Sequence, residues 1–305
     1  ARTQVDYDLA RNDMIIACTG KYVSEHDSLE SSDIDDNVKK AIEEVFLNKT
    51  HYVGDDCLVG YYEATNNASS VLYIEFEDDS EHFRASLAEL YATNVALILE
   101  NLTKQHEVER TQKELLYIVS ESIEARSKET GAHVRRVSLI CELLALKLNL
   151  PNTFVDAIRL AAPLHDIGKI AVPEKILHKV EKFTDEEWEI MKSHAAVGGE
   201  ILSKSISSVS KLGARLARSH HENWDGSGYP DGLVGKDIPI EARIMAVADV
   251  FDALGSKRCY KEIWNNEDIK QFIIDERGKK FDPEMVDVFI SFYSEFTAIR
   301  EQFPD

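Results

Sequence analysis

The order of apolar and polar residues divides the chain into two parts. In the first, short strand-like runs surround one helix. DMIIACTGKYV (13–23), CLVGYYEA (57–64) and SSVLYIEFE (69–77) read as strands, and the turn-forming TNNA separates the last two. DDNVKKAIEEVFLN (35–48) instead places Val38, Ile42, Val45 and Phe46 on one helical face. These elements predict a small α+β sheet domain over residues 1–105. Between Ser80 and Lys128 there is neither Gly nor Pro, which predicts a connecting helix over about 81–128, continuous or broken once. Phe83, Leu87, Leu90 and Leu97 follow the spacing of a coiled-coil seam, with the polar Asn94 inside it. Such a seam can carry a homodimer interface. It is equally the pattern of an amphipathic helix packed on its own domain.

After Thr130 the periodicity is almost wholly helical. Candidate helices cover 131–149, 153–165, 184–203, 206–221, 240–254, 266–275 and 283–296. Thr184 and Glu187 have the spacing of a capping box, and Asn152 or Thr153 after Pro151 suits another helix start. An all-α bundle over residues 106–305 follows, with loops at 166–183 and 222–239.

Composition narrows the functional classes. A net charge of −20 argues against partners such as nucleic acid polymers or anionic membranes. The acidity is uneven: residues 1–110 hold 23 acids against 9 bases, and the remainder 32 against 26. The second part can therefore host an anionic ligand where cations gather. Cys18, Cys57, Cys141 and Cys259 form no CxxC pair, which suits reduced thiols in a cytoplasmic protein. No run of 18 apolar residues predicts a membrane span, and no signal peptide opens the chain. The first residue is not Met, so the sequence reads as part of a longer protein.

Chemistry gathers in the helical part. His133, His165, His178, His194, His220 and His221 fall within ninety residues. His165-Asp166 closes the apolar run AIRLAAPL, and a carboxylate beside an imidazole is suited to bridging two cations. Glu129 and His133 share a face if their helix begins by Glu129. Asp249 interrupts the apolar MAVADVFDAL, and a buried carboxylate is costly unless paired or metal-bound. Alone, a helical His or an i,i+4 Glu–His pair is more often packing or a solvated face, and an Asp in an apolar stretch is evenly split between a cap or ion pair and a functional role. Together on one bundle they point to a multi-metal centre.

The motifs also carry a resemblance. HDIGK (165–169) with HHENWDGSGYPDG (220–232) is similar to the HD-GYP family, a branch of the HD phosphohydrolases. ETGAHVRRV (129–137), LAAPLHDIGKIAVPEKIL (160–177), MKSHAAVGGEIL (191–202), IPIEARIMAVADVFDALGSKRCYKE (238–262) and FDPEMVDVF (281–289) follow in the family's order, covering residues 110–296. The resemblance implies two or three non-haem metal ions, iron or manganese among them. Their ligands would be His133, His165, Asp166, His194, His220, His221 and Asp249, with Asp166 bridging and Glu129 holding a third ion. It implies cyclic di-GMP as substrate, a two-metal phosphodiester hydrolysis yielding pGpG or GMP, and a diguanylate cyclase or other signalling protein as a candidate partner. Lys169 is expected to stabilise phosphoryl charge. Arg258 and Lys261 are expected to contact phosphates, Tyr229 and, more weakly, Asp252 to lie against substrate, and His178 to be incidental. Cys259 and Gly255 depart from the family's usual Pro and Thr. The first domain resembles a GAF-type sensory domain in element order alone.

Overall fold

A computed structural model describes residues 2–3, 34–54, 57–63, 68–75, 85–127, 131–256 and 263–304. The expected strand at 13–23 lies outside them. The chain divides into two compact units, Ala1–Glu109 and Arg110–Asp305.

In the first unit, β1 (Arg2–Thr3), β2 (Tyr52–Val53), β3 (Cys57–Glu63) and β4 (Ala68–Glu75) form an antiparallel sheet in the order β1-β4-β3-β2. The period of two along β3 sorts its side chains. Val59 and Tyr61 meet Ile42, Val45 and Phe46 of α1 (Asp36–Asn48), while Leu58 packs with Leu72 and Ile74. The face of α1 legible in the sequence is thus the face that covers the sheet.

The connecting helix α2 is unbroken from Ala85 to Arg126, 42 residues, and the boundary between units falls within it. Leu90, Leu97, Leu115 and Ile118 are exposed along it, and Ile123 is buried. Phe83 lies outside the described residues. Among those residues no helix is long and apolar enough to cross a membrane.

The second unit is the expected all-α bundle: α3 (Gly131–Lys147), α4 (Asn152–Ala161), α5 (Glu174–Leu177), α6 (Asp185–Ser203), α7 (Ser208–Ser219), α8 (Ile240–Gly255), α9 (Asn266–Asp275), α10 (Pro283–Ser291) and α11 (Tyr293–Gln302). Its core runs from Val137, Ile140 and Leu144 of α3 through Met245, Val247 and Phe251 of α8 to Phe289 and Phe296. Thr184 and Glu187 close the capping box at the start of α6.

Beyond shifts of a residue or two at helix ends, two expected helices differ from the periodicity. The helix expected over 153–165 ends at Ala161, because Pro163 has no N–H to continue the ladder. The chain tightens there into the 3-10 turns Ala162–Leu164 and Ile167–Ala171. The helix expected over 283–296 breaks at Phe292, whose backbone (φ −118°, ψ 24°) separates α10 from α11. The first difference matters chemically, since it turns His165, Asp166 and Lys169 inward.

Candidate metal centre

Four segments of the second unit deliver imidazoles to one place. His133 comes from α3, His165 from the end of the first 3-10 turn, His194 from α6, and His220 and His221 from the end of α7. Three of them are oriented in the same way. The Nδ1 atoms of His165, His194 and His220 bond the carbonyl oxygens of Ala162, Met191 and Ala217, each three residues back, at 3.0, 2.6 and 2.8 Å. An Nδ1–H donated to a carbonyl leaves Nε2 as the lone-pair atom and aims it away from the helix, as a metal ligand requires. His133 reaches the same state differently, bonding Asp252 Oδ2 through Nδ1 at 2.8 Å.

The carboxylate of Asp166 sits among these nitrogens. Its Oδ1 lies 3.2 Å from His194 Nε2 and 3.7 Å from His220 Nε2. Its Oδ2 lies 3.2 Å from His165 Nε2 and 2.6 Å from Lys169 Nζ. Asp166, His194, His220 and His221 form one group whose ligand atoms lie within 4.8 Å of one another, and His133, His165 and Asp249 form a second. His165 Nε2 and His220 Nε2 are buried without a hydrogen bond. His221 Nε2 and His194 Nε2 meet at 3.1 Å. Buried polar atoms are nearly always satisfied, so inward-facing nitrogens beside carboxylates fit divalent cations. Imidazole and carboxylate donors suit first-row transition metals.

The electrostatics agree. Burial alone would raise the Asp166 carboxyl, but Lys169 and His165 hold it well below the usual range. Burial likewise opposes charge on His165, yet Asp166, with Asp249 and Glu124, raises it to about 9. Burial lowers His220, and burial with His220 and His194 lowers His221 further, so these two rings stay neutral and able to bind a cation.

Two glycines bring the segments close. A Cβ on Gly168 would stand 1.9 Å from the His194 carbonyl oxygen, so the HDIGK turn can seat against α6 only with glycine there. A Cβ on Gly228 would stand 2.2 Å from Asn223 N, which closes the loop after His221. Glu222, buried, holds that loop by accepting from Asp231 N (2.8 Å) and Leu233 N (3.0 Å). Tyr229 N bonds His221 O at 3.2 Å, and its ring lies against His221 with centroids 4.8 Å apart. The peptide bond Tyr229-Pro230 is cis.

Not every expected residue stands where the motif placed it. Asp252 does not face open space. Its side chain is wholly buried, and its carboxylate serves His133, Arg136 and Ser256, which leaves no room for contact with a ligand. Glu129, Arg258 and Lys261 lie outside the described residues. His178, expected to be incidental, belongs to no metal-ligand group among the described residues, and its Nε2 bonds Arg126 O at 2.6 Å. Glu124 is absent from every motif, yet it is buried, with a carboxylate oxygen within 4.8 Å of donor atoms of His165 and Asp166. Its one signal in the sequence is its place beside Ile123, where apolar residues resume along α2.

Residues 117–285 match the family described as HD domain. Residues 4–108 match a domain of unknown function (DUF3369), which is the likeness found for the first unit in place of the expected GAF type. The chain is 40% identical to the 3'3'-cGAMP-specific phosphodiesterase 2 of Vibrio cholerae, over 96% of this chain and 56% of that protein. It is 45% identical to the cyclic di-GMP phosphodiesterase response regulator RpfG of Xanthomonas campestris, over 68% of this chain and 56% of that protein. With a cyclic di-GMP phosphodiesterase of Thermotoga maritima it shares 44% identity, over 63% and 52%. The chain thus spans about half the length of these relatives.

Proposed function

The chain belongs to the HD-domain family, in its HD-GYP branch, and on that premise we propose that its second unit is a metal-dependent phosphodiesterase that hydrolyses cyclic di-GMP to pGpG or GMP. The observation that carries the reading is the position of Asp166, whose carboxylate lies between His165 on one side and His194 and His220 on the other. His133, His165 and Asp249 would hold one ion, and His194, His220 and His221 another, with Asp166 shared between them. When bound, the ions supply Lewis acidity and lower the pKa of water. Iron, or manganese in its place, suits this donor set. Glu129 would add a third ion.

The chain's own residues do the rest. Nδ1 bonds to backbone carbonyls fix three imidazoles before any ion arrives, so little reorganisation is needed. The Lys169 ammonium, beside Asp166, is placed to meet negative charge on phosphoryl oxygens. Tyr229 walls the centre next to His221, and Arg258 and Lys261 would take the remaining phosphate charge. We assign a sensory role to the first unit. A homodimer through α2 would cover its exposed leucines.

A second reading has its own support. The Vibrio cholerae relative whose match runs through both units is named for 3'3'-cGAMP. Incubating the anaerobically metal-loaded chain with each dinucleotide, followed by chromatography, separates the two. Faster formation of linear product from cyclic di-GMP supports the first, faster cleavage of 3'3'-cGAMP supports the second, and no linear product from either overturns both.

A further inference from the structure

The last turns of α2 hold the end of HDIGK and the residues just after it, 169–172, through four hydrogen bonds. Arg126 Nη1 donates to Lys169 O (2.8 Å) and Ile170 O (3.1 Å), and Nη2 to Val172 O (2.7 Å). Glu124 Oε2 accepts from Lys169 Nζ at 3.1 Å. Ser127 Oγ donates to the same Glu124 oxygen at 3.1 Å, which fixes the carboxylate in turn. Glu124 is 1% exposed and Lys169 8%. A lysine carries four rotatable side-chain bonds and does not hold one position without partners. Among the described residues the ammonium meets two carboxylates, Asp166 at 2.6 Å and Glu124 at 3.1 Å. Only the first of these belongs to the metal centre as the motif defines it.

We infer that Glu124 is the positioning residue for Lys169, holding its ammonium at the edge of the metal centre while Arg126 fixes the backbone from which that side chain springs. Glu124 acts through Lys169 and is not itself an ion ligand, although it stands close to His165 and Asp166. The ammonium at 3.1 Å and Ser127 Oγ already occupy its Oε2. Without Glu124 the Lys169 ammonium loses one of the carboxylates that fix it, and the shared geometry is lost. This inference rests on the reading of Lys169 as the residue that faces phosphoryl charge.

A double-mutant cycle on the full chain tests it, with Glu124→Gln, Lys169→Met and the pair together. In the metal-loaded protein, Lys169→Met should lower kcat for cyclic di-GMP about 10²-fold. Glu124→Gln should lower it about tenfold, with KM within twofold of wild type and unchanged metal content. In the Lys169→Met background, Glu124→Gln should cost nothing further. Glu124→Asp, which keeps the charge, should recover part of the loss. Independent losses, or loss of an ion in Glu124→Gln, would overturn the inference. Melting of the metal-free chains reads the same pair without turnover. Each single variant should melt lower than wild type, and the double variant should lose less than the sum of the two, because Glu124 is costly only when its partner is gone, while Asp166 lacks the ammonium in both Lys169 variants. Additive melting shifts count against the inference. A wild type that cleaves no cyclic dinucleotide overturns the proposed activity but leaves this second cycle to decide the pairing.

Discussion

His133 Nδ1 bonds Asp252 Oδ2 at 2.8 Å, and Asp252 is in turn held by Arg136 Nε at 2.7 Å and Nη2 at 3.0 Å. This chain of contacts, with Asp252 wholly buried, fixes which nitrogen of His133 faces the centre. Asp252→Asn would turn an amide N–H₂ towards groups that all donate. It should weaken metal binding about 10–100-fold. Competition with a calibrated chelator measures this, and affinity equal to wild type would remove Asp252 from the orienting role.

Metal uptake should be coupled to one proton. In the metal-free chain His165 is raised from 6.5 to about 9 by its carboxylate neighbours. Raised in this way, its proton stabilises the metal-free fold fully below pH 6.5, and that contribution disappears as pH climbs through about 9. A ligand must be deprotonated, so binding displaces this proton, while His220 and His221 are already neutral. Apparent affinity should therefore rise about tenfold per pH unit between pH 7 and 9. Calorimetry in buffers of different ionisation enthalpy counts the released protons. A flat profile over that range contradicts the assignment.

Gly168→Ala should damage the centre from outside it. The added Cβ would meet backbone, the His194 carbonyl oxygen at 1.9 Å and Gly198 N at 2.6 Å, and no side chain can swing aside to relieve this. A destabilisation of about 3 kcal/mol is expected, together with lost metal, because the HDIGK turn and α6 must separate. Thermal melting and metal analysis of the variant check both, and wild-type values in each would mean that the two segments need not pack so closely.

Glu222→Gln should act on the loop and spare the ions. Both carboxylate oxygens accept backbone N–H groups, from Asp231 and Leu233. An amide can satisfy only one of them and leaves the other, part-buried donor without its partner, at about 1 kcal/mol. The loop carrying Tyr229 should loosen, so KM for the dinucleotide should rise while metal content holds. An unchanged KM would separate Tyr229 from substrate binding.

Much of this was legible in the sequence, for reasons that differ by residue. The faces of α1 and β3 were readable because burial there follows simple periods of 3.6 and 2. The histidines were readable because their motifs lie in short contiguous stretches. Asp252 was misjudged because its pairing with Arg136 spans 116 residues, and no local pattern announces such a contact. Glu124 was missed for the same reason, since it acts through the end of α2, which packs on HDIGK only in three dimensions. The break at Phe292 was invisible, because the apolar spacing continues across it.

The central claim is that Asp166 unites two ion-binding groups into one hydrolytic centre. Metal analysis of anaerobically loaded wild type and Asp166→Ala, with cyclic di-GMP turnover recorded on the same samples, tests it most directly. The account predicts at least two ions per chain and linear product from the wild type, and neither the full complement of ions nor product from the variant. Full metal content with undiminished turnover in Asp166→Ala would contradict it.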